Sequence, residues 1–136
     1  MRREARIYSA VALGCSLGAV ARYLCGLWVL ELAGHGFPWG TLVVNVAGSF
    51  LIGLYATLTG PDGRLMVGPA RRQFVMTGFC GGFTTFSVFS LETLFLLERQ
   101  EVALAGANVA ASVLLWLIAV WLGSRIGARL NRLKGA

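Results

Sequence analysis

Three long stretches of this chain contain no charged residue, and they constrain the fold more than any other feature. Asp, Glu, Lys and Arg are absent from residues 32–61, 73–91 and 102–124. Each stretch has room for about 20 apolar residues, enough for a helix across a hydrocarbon core about 30 Å thick. A fourth apolar segment precedes them, in which Arg22 is the only charge between residues 7 and 30. The sequence therefore predicts an all-α integral membrane protein with four transmembrane helices.

The composition and length agree with one membrane domain. Of the 136 residues, 57% are hydrophobic and 13% are charged, whereas about 25% are charged in ordinary soluble domains. We expect a single domain over residues 1–136, with segments at about 7–30, 38–59, 73–97 and 102–124. A signal peptide is the alternative for the first segment, because Ala19-Val20-Ala21 resembles a cleavage site. Apolar character resumes after Arg22, which favours a retained helix.

The basic residues predict how the chain is oriented. The net charge of +6 lies at the segment ends, which fits anionic headgroups of membrane lipid and not nucleic acid. Four spans place both termini and the middle loop on one side, and Arg99 on the other. The positive-inside bias therefore predicts cytoplasmic termini. Ten basic residues share that side: Arg2, Arg3, Arg6, Arg64, Arg71, Arg72, Arg125, Arg129, Arg132 and Lys134.

The third segment contains the run GFCGGFTTFS at residues 78–87. Gly78 and Gly82 have the spacing of a helix-packing motif. Three glycines followed by three hydroxyl residues favour locally unwound backbone instead, and therefore a broken third helix. Unwound backbone at membrane depth must be buried or line a cavity. Its carbonyls suit a small hard cation such as Na⁺, and the half-helix that follows favours anions at its N-terminus.

Several polar side chains lie at membrane depth in the other segments. Thr41, Asn45 and Ser49 form one helical stripe, and Asn108 and Ser112 form another. Hydrogen bonding between helices is the simplest interpretation of each stripe. Together with a broken helix, the stripes indicate a path for a small hydrophilic solute. Arg22, too deep to reach water easily, is interpreted as a structural tether to backbone carbonyls at a helix break.

Residue spacing alone does not decide the role of two further features of the third segment. Phe86 and Phe89 have a helical spacing that favours plain packing, although an aromatic ring edge can also face an anion. Glu92 fits a proton-coupling carboxylate, a polar pore lining or an interfacial residue.

No nucleophile–base pair, phosphate loop or metal cluster occurs, and Cys15, Cys25 and Cys80 are interpreted as small buried hydrophobes. An enzyme is not expected.

Three stretches resemble the Fluc (CrcB-type) fluoride channels, a family of small four-helix proteins that export fluoride from microbial cytoplasm. They are GCSLGAVARY at residues 14–23, PWGTLVVNVAGSFLIG at 38–53 and TGFCGGFTTFSVFSLET at 77–93. The resemblance covers nearly the whole chain. It implies a passive fluoride-selective channel in the plasma (inner) membrane of a bacterium. It also implies an antiparallel dimer with two pores and a structural Na⁺ at the dimer centre.

The resemblance assigns roles to individual residues. Backbone carbonyls of Gly81 and Thr84 would hold the Na⁺, and Arg22 matches the family's structural arginine. Phe86 and Phe89 match its pore phenylalanines, which replaces the packing interpretation. The remaining pore positions are Asn45, Thr41, Thr85, Ser87, Ser112 and Glu92.

The chain departs from the family in two respects. Asn108 and Trp116 occupy positions where relatives often carry a tyrosine and a second serine. Ten basic residues on one side against one on the other is also an uneven distribution for a homodimer whose subunits insert in both orientations. A heterodimer with an inverted paralogue is therefore the alternative to a homodimer. The runner-up function is a proton-coupled exporter of the small multidrug type, in which Glu92 would supply the carboxylate.

Overall fold

The computed structural model describes residues 2–132, all of whose regular elements are helical. Four helical spans are long and apolar enough to cross a membrane, as the sequence predicts. The first is α1 (Arg2–Ala33), which ends where Gly34 takes a left-handed φ of 73°. The second is α2 (Trp39–Leu58) and the last is α6 (Val102–Arg132). Helices suit lipid because they satisfy their own backbone hydrogen bonds.

The third span covers Pro69–Glu98 and contains four successive elements. They are α3 (Pro69–Gln73), a π-helical segment π1 (Phe74–Cys80), the turn α4 (Gly81–Phe83) and α5 (Phe86–Glu98). Thr84 and Thr85 lie between α4 and α5 with extended backbone, at φ/ψ of −87°/161° and −153°/125°. A π-helical segment is rare and is often associated with a functional site.

The glycines of this span do not form the unwound backbone that the sequence predicts. Gly81 has helical φ/ψ of −64°/−37°, and Gly78 and Gly82 lie within π1 and α4. A Cβ at Gly82 would stand 2.3 Å from the Cys15 carbonyl oxygen, and one at Gly78 would stand 2.9 Å from the Val11 carbonyl oxygen. The packing interpretation is therefore correct for these two, and the extended residues are the threonines that follow.

The partner surface on α1 is also built from glycine. A Cβ at Gly14 would stand 2.3 Å from the Phe74 carbonyl oxygen, and one at Gly18 would stand 2.2 Å from the Phe79 carbonyl oxygen. Facing pairs of glycines at four-residue spacing let two membrane helices approach until their backbones touch. This contact holds α1 against the part of the third span that precedes Thr84.

A second close helix pair is formed by α2 and α6. A Cβ at Gly53 would stand 2.3 Å from the Val120 carbonyl oxygen, and one at Gly123 would stand 2.2 Å from the Phe50 carbonyl oxygen. Glycine therefore lies on both sides of this contact, and α2 also packs against α1. Many large apolar side chains on α1 and α6 remain exposed, as expected for surfaces that face lipid.

One end of the bundle gathers the start of α1, the loop between α2 and α3, and the end of α6. The Arg64 N–H donates to Asn131 Oδ1 at 3.0 Å, and Asn131 Nδ2 donates to the Thr57 carbonyl at 3.0 Å. Arg3 and Arg6 lie beside Pro69 at the same end. The basic residues predicted to share one side are thus brought together, except Lys134, which lies outside the described residues.

Candidate functional site

Asn45 of α2 holds the extended backbone between α4 and α5. Its side chain is 5% exposed. Nδ2 donates to the Thr85 carbonyl at 2.8 Å, and the Thr85 N–H donates to Oδ1 at 2.7 Å. Both polar groups of the Thr85 backbone are thereby satisfied by one side chain. In a continuous helix that N–H would bond to the Gly81 carbonyl, so the Gly81 carbonyl loses its usual donor.

Arg22 of α1 contacts the same region of the third span. Its Nε donates to the Gly82 carbonyl at 3.2 Å. A continuous helix would pair that carbonyl with the N–H of Phe86, which instead begins α5. Arg22 therefore supplies a hydrogen bond that the helix lacks where its backbone turns away.

Thr85 caps the N-terminus of α5. Its hydroxyl accepts a hydrogen bond from the Val88 N–H at 3.2 Å, as N-capping threonines do. The Ser87 hydroxyl lies 3.2 Å from the Thr85 hydroxyl. The start of α5 therefore combines hydroxyl groups with the positive end of a helix dipole, and this arrangement attracts anions.

Two cavities share Thr85 as a lining residue. One, the Trp116 cavity, has a volume of about 280 Å³ and lies between α2, the third span and α6. The other, the Glu92 cavity, also measures about 280 Å³ and lies between α1, α2 and α5. The polar groups and indole lining the first belong to Asn45, Ser49, Thr84, Thr85 and Trp116. Those lining the second include Arg22, Thr41, Thr85 and Glu92.

Glu92 continues this series toward the other end of the bundle. It lines the Glu92 cavity and a third cavity of about 220 Å³ together with His35 and Arg99. Thr41 of α2 lines the Glu92 cavity together with this carboxylate. The three cavities therefore share lining residues in succession, first Thr85 and then Glu92, along one side of α5.

The aromatic residues after Thr85 form a cluster with unequal exposure. Phe86 is 71% exposed, whereas Phe89 is 7% exposed. Their ring centroids are 5.6 Å apart, and the Trp116 ring meets Phe89 edge-on at 5.1 Å. Trp116 is a contact that the sequence did not predict, because nothing in its spacing relates it to a phenylalanine on another helix.

The polar stripe of α6 lies in the interior. Asn108 and Ser112 are each 1% exposed. Asn108 Nδ2 donates to the Thr93 hydroxyl at 2.9 Å, and the Ser112 hydroxyl donates to Asn108 Oδ1 at 3.4 Å. This network joins α6 to α5, as expected for interhelical hydrogen bonding. Ser112 lines neither the Trp116 cavity nor the Glu92 cavity, so the structure does not bring it to Asn45.

Two buried side-chain atoms within residues 2–132 have no hydrogen-bond partner. They are Oε2 of Glu92 and Nε1 of Trp116. A buried unpaired polar atom costs about 1–3 kcal/mol, so each calls for an explanation. One of these residues lines the Glu92 cavity and the other lines the Trp116 cavity.

The candidate cation ligands also lie at the Trp116 cavity. Gly81 and Thr84 both line it, and the N–H that would occupy the Gly81 carbonyl is donated to Asn45. Carbonyl oxygens suit a hard cation such as Na⁺, so the chemistry of these donors fits the predicted ion. Among the described residues, no group of three His, Cys, Asp or Glu side chains could hold a metal, and the three cysteines are free thiols.

Comparison with known proteins gives a consistent result over nearly the full length. The family model described as "CrcB-like protein, Camphor Resistance (CrcB)" matches residues 9–124. The "Fluoride-specific ion channel FluC 1" of Rhodopseudomonas palustris (strain BisB18) is 54% identical over 135 residues, covering 99% of this chain and 96% of the relative. The "Fluoride-specific ion channel FluC" of Opitutus terrae is 55% identical over 130 residues, covering 96% and 98% respectively. That of Methylocella silvestris is 50% identical over 129 residues, covering 95% and 98%.

Proposed function

This chain belongs to the CrcB-like family, whose curated relatives are named as fluoride-specific ion channels and not as enzymes, and we propose that it is a passive channel for F⁻. The channel exports the ion from the cytoplasm across the plasma membrane of a bacterium. It is a multi-pass membrane protein with four helices able to span the bilayer. The proposal concerns the ion and its route, which we assign to the two cavities that share Thr85 as a lining residue.

The position of Thr85 in the lining of both cavities is the observation that carries the proposal. Fluoride is small and strongly hydrated, so a pore has to replace its water with hydrogen-bond donors. Hydroxyls of Thr41 and Thr85 line the route, and the Asn45 amide retains a second N–H beyond the one given to Thr85. Ser87 supplies a further hydroxyl at the start of α5.

The aromatic cluster supplies a different kind of contact. The edge of a phenylalanine ring is electropositive and can face an anion. We assign this role to Phe86 and Phe89, whose rings lie directly after the α5 N-terminus. Trp116 packs against Phe89 and has an indole N–H without a partner. An ion passing this cluster would give that N–H an acceptor.

We further propose that two subunits associate in antiparallel orientation, each contributing Gly81 and Thr84 carbonyls to one structural Na⁺. The exposure of Phe86 in the single subunit, 71%, supports a covering partner at this face. Among the described residues, a Cβ at Gly81 would meet no atom within 4 Å, so this part of the chain leaves space beside Gly81. In the assembly Arg22 is a structural residue that holds the Gly82 carbonyl.

A liposome efflux assay with a fluoride electrode tests the channel. We expect rapid F⁻ loss that needs only an ionophore to compensate charge. The absence of F⁻ loss, or loss driven strictly by a proton gradient, would contradict a passive channel. Proton-driven loss would support the exporter in which Glu92 couples protons. The Glu92→Gln variant separates the two, because a passive route does not require a titrating carboxylate.

The partner subunit is tested separately. Ten basic residues on one side against Arg99 on the other favour a fixed orientation, and hence pairing with an inverted paralogue. Reporter fusions at the C-terminus should then give signal from the cytoplasmic side alone. Equal signals from both sides would instead support a homodimer that inserts both ways.

A further inference from the structure

Three arginines surround a cavity at the end of the bundle that carries most of the basic residues. Arg3 and Arg6 come from the start of α1, and Arg71 comes from α3. With Ile7 and residues 68–70 they line about 330 Å³, and within residues 2–132 no carboxylate is among the lining residues. We call this space the basic cavity. Because its charges come from distant parts of the sequence, the fold creates a concentration of positive charge here.

A second space adjoins the basic cavity and has a different character. It measures about 440 Å³, and Arg6, Ala70 and Arg71 line both spaces. Its remaining lining residues are mainly apolar, and we call it the apolar cavity. They are Ala10, Leu13, Tyr55, Phe74 and Val75.

The two cavities follow one another along the axis of α1. Arg6 and Leu13 lie on the same helix, seven residues apart, which corresponds to about 10 Å along its axis. Phe74 and Val75 likewise follow Arg71 toward the interior of the third span. A molecule that filled both cavities would present an anionic group at the bundle end and a hydrocarbon chain toward the membrane centre.

We propose that these cavities together bind one anionic phospholipid. Its phosphate lies among the guanidinium groups of Arg3, Arg6 and Arg71, which match phosphate geometry with paired N–H donors. One acyl chain lies in the apolar cavity. Basic pockets between membrane helices on the cytoplasmic side are recognised sites for anionic headgroups. The adjoining apolar space favours a lipid over free phosphate, which would use only the basic cavity. Fluoride conduction is not a premise of this proposal.

The site is tested by measuring lipid binding to the purified full chain in detergent by native mass spectrometry. The probes are phosphatidylglycerol, phosphatidylcholine and glycerol phosphate. The double variant Arg6→Gln with Arg71→Gln alters residues shared by both cavities. Its matched control is Arg129→Gln with Arg132→Gln, which removes equal charge from the same end but outside the cavities. Ala10→Phe fills the apolar cavity without changing charge.

We expect the chain to retain phosphatidylglycerol over phosphatidylcholine. The Arg6→Gln, Arg71→Gln variant should bind phosphatidylglycerol at least about tenfold more weakly, since each arginine near the surface contributes substantially to binding. The control should bind like the original chain, and Ala10→Phe should lose the lipid. Equal losses in both double variants would overturn the site in favour of diffuse surface charge.

Two other outcomes also contradict the proposal. Glycerol phosphate binding as tightly as phosphatidylglycerol, with no effect of Ala10→Phe, would indicate a free-phosphate site. If the Arg6→Gln, Arg71→Gln variant does not fold, Ala10→Phe decides alone. Undiminished phosphatidylglycerol binding by Ala10→Phe would then exclude a chain in the apolar cavity.

Discussion

Asn45 and Thr85 exchange two hydrogen bonds, of 2.8 and 2.7 Å, across forty positions of sequence. The side-chain amide of Asn45 thereby provides hydrogen-bond partners for both the N–H and the C=O of Thr85, which lies between α4 and α5. It also positions the N-terminus of α5 between two cavities. Asn45 therefore has a structural contact in addition to the pore role proposed for its remaining N–H.

Replacing Asn45 with alanine should reduce stability as well as fluoride flux. The substitution leaves two backbone groups of Thr85 without partners, and a loss of about 2 kcal/mol follows if each costs about 1 kcal/mol. Unfolding in mixed detergent micelles measures the loss, and liposome efflux measures the flux. Ser49→Ala is the control, because Ser49 lines the same cavity one turn further along α2. An Asn45→Ala protein as stable as Ser49→Ala would contradict the structural role.

Phe86→Ile should separate conduction from folding. Phe86 is 71% exposed in the single subunit, so the change in the free energy of unfolding of that subunit should stay below about 1 kcal/mol. Flux should fall about tenfold or more, since losing about 1.4 kcal/mol of contact with the ion has that effect on a rate. Phe95→Ile on the same helix, at a residue 45% exposed, is the matched substitution. Equal flux in the two variants would remove Phe86 from the pore.

Trp116→Phe tests the unpaired indole N–H. The change keeps an aromatic ring against Phe89 and removes the donor, so fluoride flux should fall by about tenfold, the effect of one lost interaction of about 1.4 kcal/mol. Trp121→Phe is the control, because Trp121 is exposed on α6 and lies under the Arg125 guanidinium.

The proposed contact between fluoride and the Trp116 indole N–H can also be observed directly, by NMR of the indole N–H groups in ¹⁵N-labelled protein. Fluoride, but not chloride, should shift the Trp116 signal and leave that of Trp121 in place. If the original chain conducts fluoride while its Trp116 signal does not respond, the indole contact is wrong and the channel assignment stands.

The four spans could be predicted because their cause is local. Lipid requires about 20 apolar residues per helix, and charge-free stretches of that length are visible in any window of the sequence. The contact between α1 and π1 had a visible signal as well, since Gly14 and Gly18 repeat the spacing of Gly78 and Gly82. Pairing the two motifs would have predicted packing for those glycines.

The details around Thr85 could not be predicted in the same way. Which backbone groups leave the helix depends on where Asn45 and Arg22 reach the third span, and both come from other helices. The edge contact of Trp116 with Phe89 likewise joins α6 to α5. Such contacts depend on how whole helices pack against one another, so residue spacing within one segment does not predict them.

Gly81→Ala and Gly82→Ala should differ sharply, although the two glycines are adjacent. A Cβ at Gly82 would stand 2.3 Å from the Cys15 carbonyl oxygen, so Gly82→Ala should force α1 away and prevent stable folding. A Cβ at Gly81 meets no atom of residues 2–132 within 4 Å, so the subunit should fold normally. The added methyl group nevertheless enters the space proposed for Na⁺ and the second subunit. The stability of the Gly81→Ala dimer should therefore no longer depend on Na⁺.

Replacing Na⁺ with N-methylglucamine during size-exclusion chromatography and thermal unfolding measures this dependence. The original chain should form a less stable dimer without Na⁺, whereas Gly81→Ala should respond little. The comparison distinguishes an ion held by Gly81 from a general salt effect, because a salt effect would act on both proteins equally. An unchanged Na⁺ response in Gly81→Ala would contradict the placement of Na⁺ in the space that the added methyl group enters, and normal folding of Gly82→Ala would contradict the glycine contact with α1.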